Sequence, residues 1–326
     1  MPAFRKPTFA YDYDAAVELK ALRRYPTLPE KEDRAIPAKS NRHLLLATWN
    51  IANLGVQDRR EKDYRLIAEI ISWFDLVAIQ ETNGNLEGLR GVQAQLPSHY
   101  KALFTDPGGN NERFAVLYDS KRVKVLEEIG RVTVPPKELK SVKLPDVTLP
   151  FTGFDRNPSL VSFTADDLTF VLANVHLYFG DESDKAGMER RCLEAYAVGR
   201  WADLRRRDDD AFTPNVLALG DFNLPKREET DPVYRALTRK GLQLPPHSTK
   251  VGGSNLNDDA QYDQMAVFPG PMEEAIETMG VFDFDGALFR DLWAKGNKDD
   301  QTRFRAYVRY YLSDHRPLWT RLRTAR

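Results

Sequence analysis

The sequence predicts an α/β protein made of two packed mixed β-sheets with helices outside, and three observations carry that expectation. Short apolar runs recur along the chain with turn residues between them, as buried strands do. Helical periodicity alternates with these runs, as in "RREKDYRLIAEIISWF", where Leu66, Ile67, Ile70, Ile71 and Phe74 fall on one face. Several runs are joined too tightly for a crossover helix: "ADD" at Ala165–Asp167 reads as a hairpin turn. Parallel neighbours need long crossovers, so these tight links exclude a single doubly wound parallel sheet.

In chain order, residues 1–43 are charged and punctuated by proline, with one helical piece around Asp14–Arg24. They read as an extension laid over the body. The main domain spans 44–326. It opens with "LLLATWNI", then the helix just named, then "DLVAIQE". The runs "RFAVLYD", "VKVLEEI", "PSLVSF", "LTFVLANVHLYF", "NVLALGDFN", "QYDQMAVFP" and "HRPLWTRL" follow. A long helix is expected from Lys185 to about Arg207, and Glu127–Pro150 reads as a surface insertion.

At 326 residues and 42% hydrophobic content the chain can bury a large core. Its formal net charge of −1 gives no global attraction to polyanions, so any nucleic-acid binding must come from local patches. No apolar run is long enough to span a membrane, and the start lacks the apolar stretch of a secretory signal. The single cysteine, Cys192, excludes an internal disulfide and fits a reducing compartment. The expectation is a soluble cytoplasmic enzyme, with monomer as the default.

The chemistry collects where these runs end. "LLLATWN" ends at Asn50, "LVAIQE" at Glu81 and "FVLANVH" at His176. "NVLALGDFN" delivers Asp221 and Asn223, "QYDQMAVF" begins with Asp263, and "SDHRPLW" begins with Asp314 and His315. A strand-end carboxylate must be solvated or paired, because burying it alone costs several kcal/mol. If these strand ends share one edge, they converge on a cleft of carboxylates, amides and imidazoles. Oxygen ligands from Glu81, Asp314 and Asn50 suit Mg²⁺ or Mn²⁺, whereas no Cys/His cluster has zinc spacing. A cation held this way neutralises charge on a phosphate ester, so phosphoryl chemistry is indicated. Successive side chains of a strand alternate faces. At a strand mouth, however, Asp314 can reach the metal while His315 reaches substrate or water. Asp263 is the candidate to fix the tautomer of His315.

"TWNI", "IQET", "NVHL", "GDFN", "YDQM" and "SDHRPL", in this order, resemble the endonuclease/exonuclease/phosphatase superfamily over roughly Leu44–Leu322. The resemblance implies a four-layer α/β/β/α sandwich. It also implies roles: Asn50 and Glu81 at the metal with Asp314 close by, and Asp221 positioning or deprotonating the attacking water. Asn223 would orient the nucleophile and the scissile phosphate. His315, held by Asp263, would bond the phosphate, and His176 would face the leaving group. "FDRNPSLVSF" is similar to the pancreatic-type deoxyribonuclease branch, which implies that Arg156 lies near the scissile strand. That branch is typically secreted with disulfides, whereas this chain has one cysteine.

Other residues bear on the substrate. "RFRAYVRYYLSDHR" sets Arg303 and Arg305 among tyrosines, a composition suited to phosphate contact and base stacking. Lys250, in the glycine-containing "HSTKVGGSN", could close over substrate. The expectation is a divalent-metal-dependent phosphodiesterase, an endonuclease hydrolysing DNA with activated water. The alternative is a phosphoesterase on the same core acting on a lipid headgroup, inositol phosphate or nucleotide.

Overall fold

A computed structural model describes residues 3–29, 34–180, 184–293 and 298–324. The strands, in chain order, are β1 (His43–Leu54), β2 (Leu76–Asn83), β3 (Tyr100–Phe104), β4 (Glu112–Asp119), β5 (Lys124–Arg131) and β6 (Ser159–Ala165). They continue with β7 (Leu168–His176), β8 (Val216–Asp221), β9 (Asp263–Val267), β10 (Ile276–Val281) and β11 (Leu318–Arg323). The helices are α1 (Ala15–Leu22), α2 (Glu61–Ser72), α3 (Glu87–Ala94), α4 (Lys185–Arg206), α5 (Pro232–Thr238), α6 (Pro271–Ala275), α7 (Arg290–Trp293) and α8 (Lys298–Tyr311).

These elements form the α/β/β/α sandwich. One sheet has six strands in the order β10-β11-β1-β2-β4-β3, and the other has five in the order β5-β6-β7-β8-β9. Both are mixed: β1 and β2 are parallel, as are β7 and β8, and every other pair is antiparallel. The β6–β7 hairpin turns at Asp166, which takes φ 50°, where an aspartate is tolerated better than most residues.

Alternation along the strands sorts the side chains into three apolar layers. Leu46, Ala78, Leu172, Leu219 and Met265 fill the seam between the sheets. Trp49, Val77 and Ile79 face outward beneath α2, whose Leu66, Ile67, Ile70 and Ile71 are fully buried. Each such side chain contributes about 1.5–3 kcal/mol of hydrophobic stabilisation. Ala173, Val175 and Ala218 face outward beneath α4 and α5. Three of the helices start where an aspartate caps them: Asp14, Asp184 and Asp231 each accept backbone N–H bonds of the first turn.

The N-terminal segment puts Tyr13, Leu19, Leu22 and Ile36 into the same core layer as α2 and α8. Within the expected insertion at 127–150, residues through Arg131 extend β5 at the sheet edge, and Val132 and Val142 are buried. A polar pair ties the sheets across the seam: Gln80 Nε2 donates to Asn174 Oδ1 at 2.6 Å, both fully buried. Among the described residues, no helix is long and apolar enough to cross a membrane.

Candidate active site

The pairing register explains why the polar strand ends meet. The parallel pairs β1/β2 and β7/β8 bring their C-terminal ends to one edge, and the antiparallel partners β4, β9 and β11 begin at that edge. Asp221 is registered against both His176 and Asp263. Alternation then sets direction. Leu172, Leu219 and Met265 point into the seam, so His176, Asp221 and Asp263 point there as well, two or four positions away.

Glu81 breaks this rule. Ile79 faces the outer layer, so simple alternation would send Glu81 outward too. Instead the β1/β2 and β2/β4 registers slip between Ile79 and Thr82, and Glu81 adopts φ 59°. The side chain is thereby re-aimed at the cleft, where Asn50 Nδ2 donates to its Oε1 at 3.0 Å and Asn53 N to its Oε2 at 2.8 Å. Asn53 and Asn223 also hold positive φ, at 51° and 49°. Three left-handed residues at one cleft fit the general clustering of backbone strain at functional sites.

Asp221 lies at the centre. Asn50 Nδ2 donates to its Oδ2 at 2.9 Å, and Asn223 N donates to its Oδ1 at 2.8 Å. His176 Nε2 and His315 Nε2 stand 3.7 and 3.8 Å from Oδ2. Burial alone would raise the Asp221 carboxyl, but His315, His176 and these donors outweigh it and hold it below the usual range. His315 Nδ1 is 2.7 Å from Asp263 Oδ2. Burial opposes a charged imidazole there, yet Asp263 and Asp221 hold the His315 proton well above its ordinary pH range. Burial and the charge of Asp221 push Asp263 up, against the pull of His315. Main-chain and side-chain contacts aim the pair: Ser313 Oγ accepts from His315 N at 3.0 Å, and Trp49 Nε1 donates to His315 O at 2.8 Å.

Ligand atoms of Asp221, Asp263 and His315 all lie within 4.8 Å of one another, geometrically suited to a divalent ion. Asp263 occupies Nδ1 of His315, so Nε2 is the ring nitrogen that could serve an ion there. A second set of oxygens fits a cation on separate grounds. Asn50 Oδ1 is buried without a hydrogen-bond partner. Burial pushes the Glu81 carboxyl up, and Glu112 and Asp314 add to this while His176 opposes it. Among the described residues no lysine or arginine forms a direct ion pair with Glu81; buried Arg59 lies within electrostatic reach but spends its donors on the Ala52, Asn53, Tyr311 and Leu312 carbonyls. A buried excess of negative charge beside an unsatisfied amide oxygen is an environment a hard cation relieves.

The remaining predicted residues divide. Asn223 reaches the cluster, though its Nδ2 is engaged with Leu177 O at 2.7 Å. Arg156 stands beside the site as a brace for His176 and Leu177. Its Nε donates to His176 O at 3.2 Å, its Nη2 to Leu177 O at 2.9 Å, and its Nη1 lies 3.4 Å from Glu112 Oε2. At 4% exposure it has no free edge for a substrate.

Arg303 and Arg305 lie on α8, and the tyrosines interleaved with them are core residues. Both arginines are exposed, and Arg303 sits 4.5 Å over the Phe9 ring of the N-terminal segment. The stacking platform expected from this stretch is therefore a buried helix face. Its spacing is helical, which the arginine–aromatic composition disguised. Lys250 is exposed on a loop whose later part reaches the site, with Leu256 N donating to Asp314 O at 3.0 Å.

Sequence reasoning missed Glu112. It begins β4 and its Oε2 lies 3.1 Å from His176 Nδ1. Burial works to raise Glu112, but His176 and Arg156 outweigh it and keep the carboxyl low. Its only signal was a polar residue at the mouth of "ERFAVLYD", the same signal read elsewhere. Arg191 was also missed: fully buried on α4, it donates to Asn223 O at 3.1 Å and to Phe179 O.

No family model matches the chain. A curated deoxyribonuclease of Thioalkalivibrio sp. (strain K90mix) is 28% identical over 203 residues, 60% of this chain; the match spans half the length of that relative. Solved structures share the architecture. A mannosyl-6-phosphatase of Bacteroides thetaiotaomicron superposes with TM-score 0.52 at 20% identity, covering 85% of this chain and 98% of the other. D. rerio TDP2, complexed with single-strand DNA product, gives 0.53 at 16% identity, covering 86% and 98%. A second protein of B. thetaiotaomicron, described as endonuclease/exonuclease/phosphatase family, gives 0.51 at 20% identity, covering 86% and 94%.

Proposed function

Because fold and sequence similarity both point to the endonuclease/exonuclease/phosphatase superfamily, we propose that this protein is a divalent-metal-dependent phosphodiesterase that hydrolyses DNA. The observation that carries the hydrolytic reading is the arrangement around Asp221, with an imidazole on either side and the Asn50 amide against it. The similarity to a deoxyribonuclease favours DNA.

In this reading each group has one task. Asp221, kept ionised by its neighbours, accepts the proton of the attacking water. His315, its proton secured by Asp263, donates Nε2–H to a non-bridging phosphate oxygen and gains strength as charge accumulates there. His176, with Nδ1 anchored by Glu112, turns Nε2 to the leaving oxygen and protonates it. Asn223 orients the phosphate. Asn50, Glu81 and Asp314 would hold the Mg²⁺ or Mn²⁺, which would supply charge neutralisation of the phosphate when bound.

A second reading, a phosphoesterase for a lipid headgroup, inositol phosphate or nucleotide, is favoured by one observation. Arg156, expected near the scissile strand, is buried and engaged by His176 O, Leu177 O and Glu112. One assay separates the readings. The protein should nick supercoiled plasmid in Mg²⁺, and EDTA or His315→Ala should abolish the nicking. Turnover of small phosphoesters with none on DNA or RNA would overturn the first reading in favour of the second.

A further inference from the structure

A cavity of about 420 Å³ opens on the outer side of the five-stranded sheet, between α4, α5 and residues 144–147. None of its lining residues belongs to the Asp221 cluster. Its size falls within the roughly 300–1,000 Å³ typical of small-molecule sites. Leu144, Val147, Met188, Cys192 and Ala236 give it an apolar wall, and the first three are only half-buried. Their apolar surface is thus incompletely covered by the chain itself.

Charge at the mouth sets what could cover it. Arg235 on α5 and Arg239 at its C-cap stand four residues apart, both exposed, and neither forms an ion pair among the described residues. Like charges at this spacing repel and weaken a helix. The acids nearby are differently placed. Asp184 is spent on the Ala186 and Gly187 N–H groups that cap α4. Glu189 accepts from Thr148 N, Thr148 Oγ1 and Leu149 N through Oε2, and Lys185 Nζ lies 3.5 Å from its Oε1. Asp231, whose charge also reaches Cys192, caps α5 by accepting from Val233 N and Tyr234 N. That leaves Asp146, exposed, as the lining acid without such a bond against two uncommitted guanidiniums.

We infer that this cavity is a second ligand site, for a medium-chain carboxylate whose apolar tail lies against Met188, Cys192 and Ala236 and whose headgroup meets Arg235 and Arg239. Binding would cover the half-exposed wall and offset the arginine–arginine repulsion together. It requires no group of the catalytic cluster, so it stands independently of the substrate assigned above.

Calorimetric titration with dodecanoate below its micellar range tests it. One saturable site is expected, at least tenfold weaker in the Arg235→Gln/Arg239→Gln variant and lost in Ala236→Trp, with no comparable site for dodecyltrimethylammonium. A readout on the unaltered protein covers failure of a variant to fold: dodecanoate should slow alkylation of Cys192 by N-ethylmaleimide at pH 9 at least fivefold. Equal binding of the cationic and anionic chains, undiminished affinity in the double arginine variant, or unchanged Cys192 alkylation would overturn the assignment.

Discussion

His176 of the five-stranded sheet and Glu112 of the six-stranded sheet meet across the seam, with Nδ1 and Oε2 3.1 Å apart. The contact joins the two halves of the sandwich at the cleft, with the other ring nitrogen, Nε2, on the side of Asp221. Glu112 is a positioning residue, since it acts through His176. Glu112→Gln should lower kcat about tenfold to a hundredfold with little change in KM, a loss within the range of general acid–base effects. Glu112→Asp should recover part of it. Steady-state kinetics on a phosphodiester decide the point, and a change confined to KM would refute it.

Glu81 carries a cost to the fold that its place at the cleft explains. A buried carboxyl near Glu112 and Asp314, raised by burial, destabilises the cation-free protein. In EDTA, Glu81→Gln should therefore raise Tm, by about 2–4 °C for a change near 1 kcal/mol. Added Mn²⁺ should raise the Tm of the unaltered protein and leave the variant nearly unmoved. A variant that melts lower than the parent in EDTA would remove Glu81 from this role.

Gly220 precedes Asp221 at φ 135°, and a Cβ there would stand 2.0 Å from Val175 O. The close approach of β8 to β7 at this step sets Asp221 opposite His176. Gly220→Ala needs both an unfavourable φ and a backbone shift at the site. It should destabilise the protein by about 3 kcal/mol or more, or prevent folding. Urea unfolding measures this, and a loss under 1 kcal/mol would contradict it.

Burial pushes the Cys192 thiol up from 9.0 to about 11. The unfolded chain then releases this proton first, so the contribution is whole below pH 9 and is lost as pH rises from 9 toward 11. The full loss is about 3 kcal/mol. Unfolding free energies of the parent should fall more steeply over that interval than those of Cys192→Ser, and parallel curves would exclude the linkage.

Much of the cleft was legible because strands alternate. A polar residue in register with seam-facing leucines must also face the seam, and His176, Asp221 and Asp263 obey that rule. Glu112 carries the same signal but falls one residue before "RFAVLYD", outside the strand read from the sequence. The tyrosines of α8 show the opposite limit: composition suggested a surface for bases, while their spacing packs them against the N-terminal aromatics, with Tyr11 and Tyr307 ring centroids 4.8 Å apart.

By itself the sequence determined the layers, the strand ends and the residue types at the cleft, because hydrophobic periodicity and turn chemistry are local properties. Tertiary structure alone decided that Glu81 turns inward through a register slip, that Arg156 is consumed as a brace, and that Glu112 grips His176. Each depends on a backbone kink or a partner far away in the chain, and no local pattern encodes where such partners will stand.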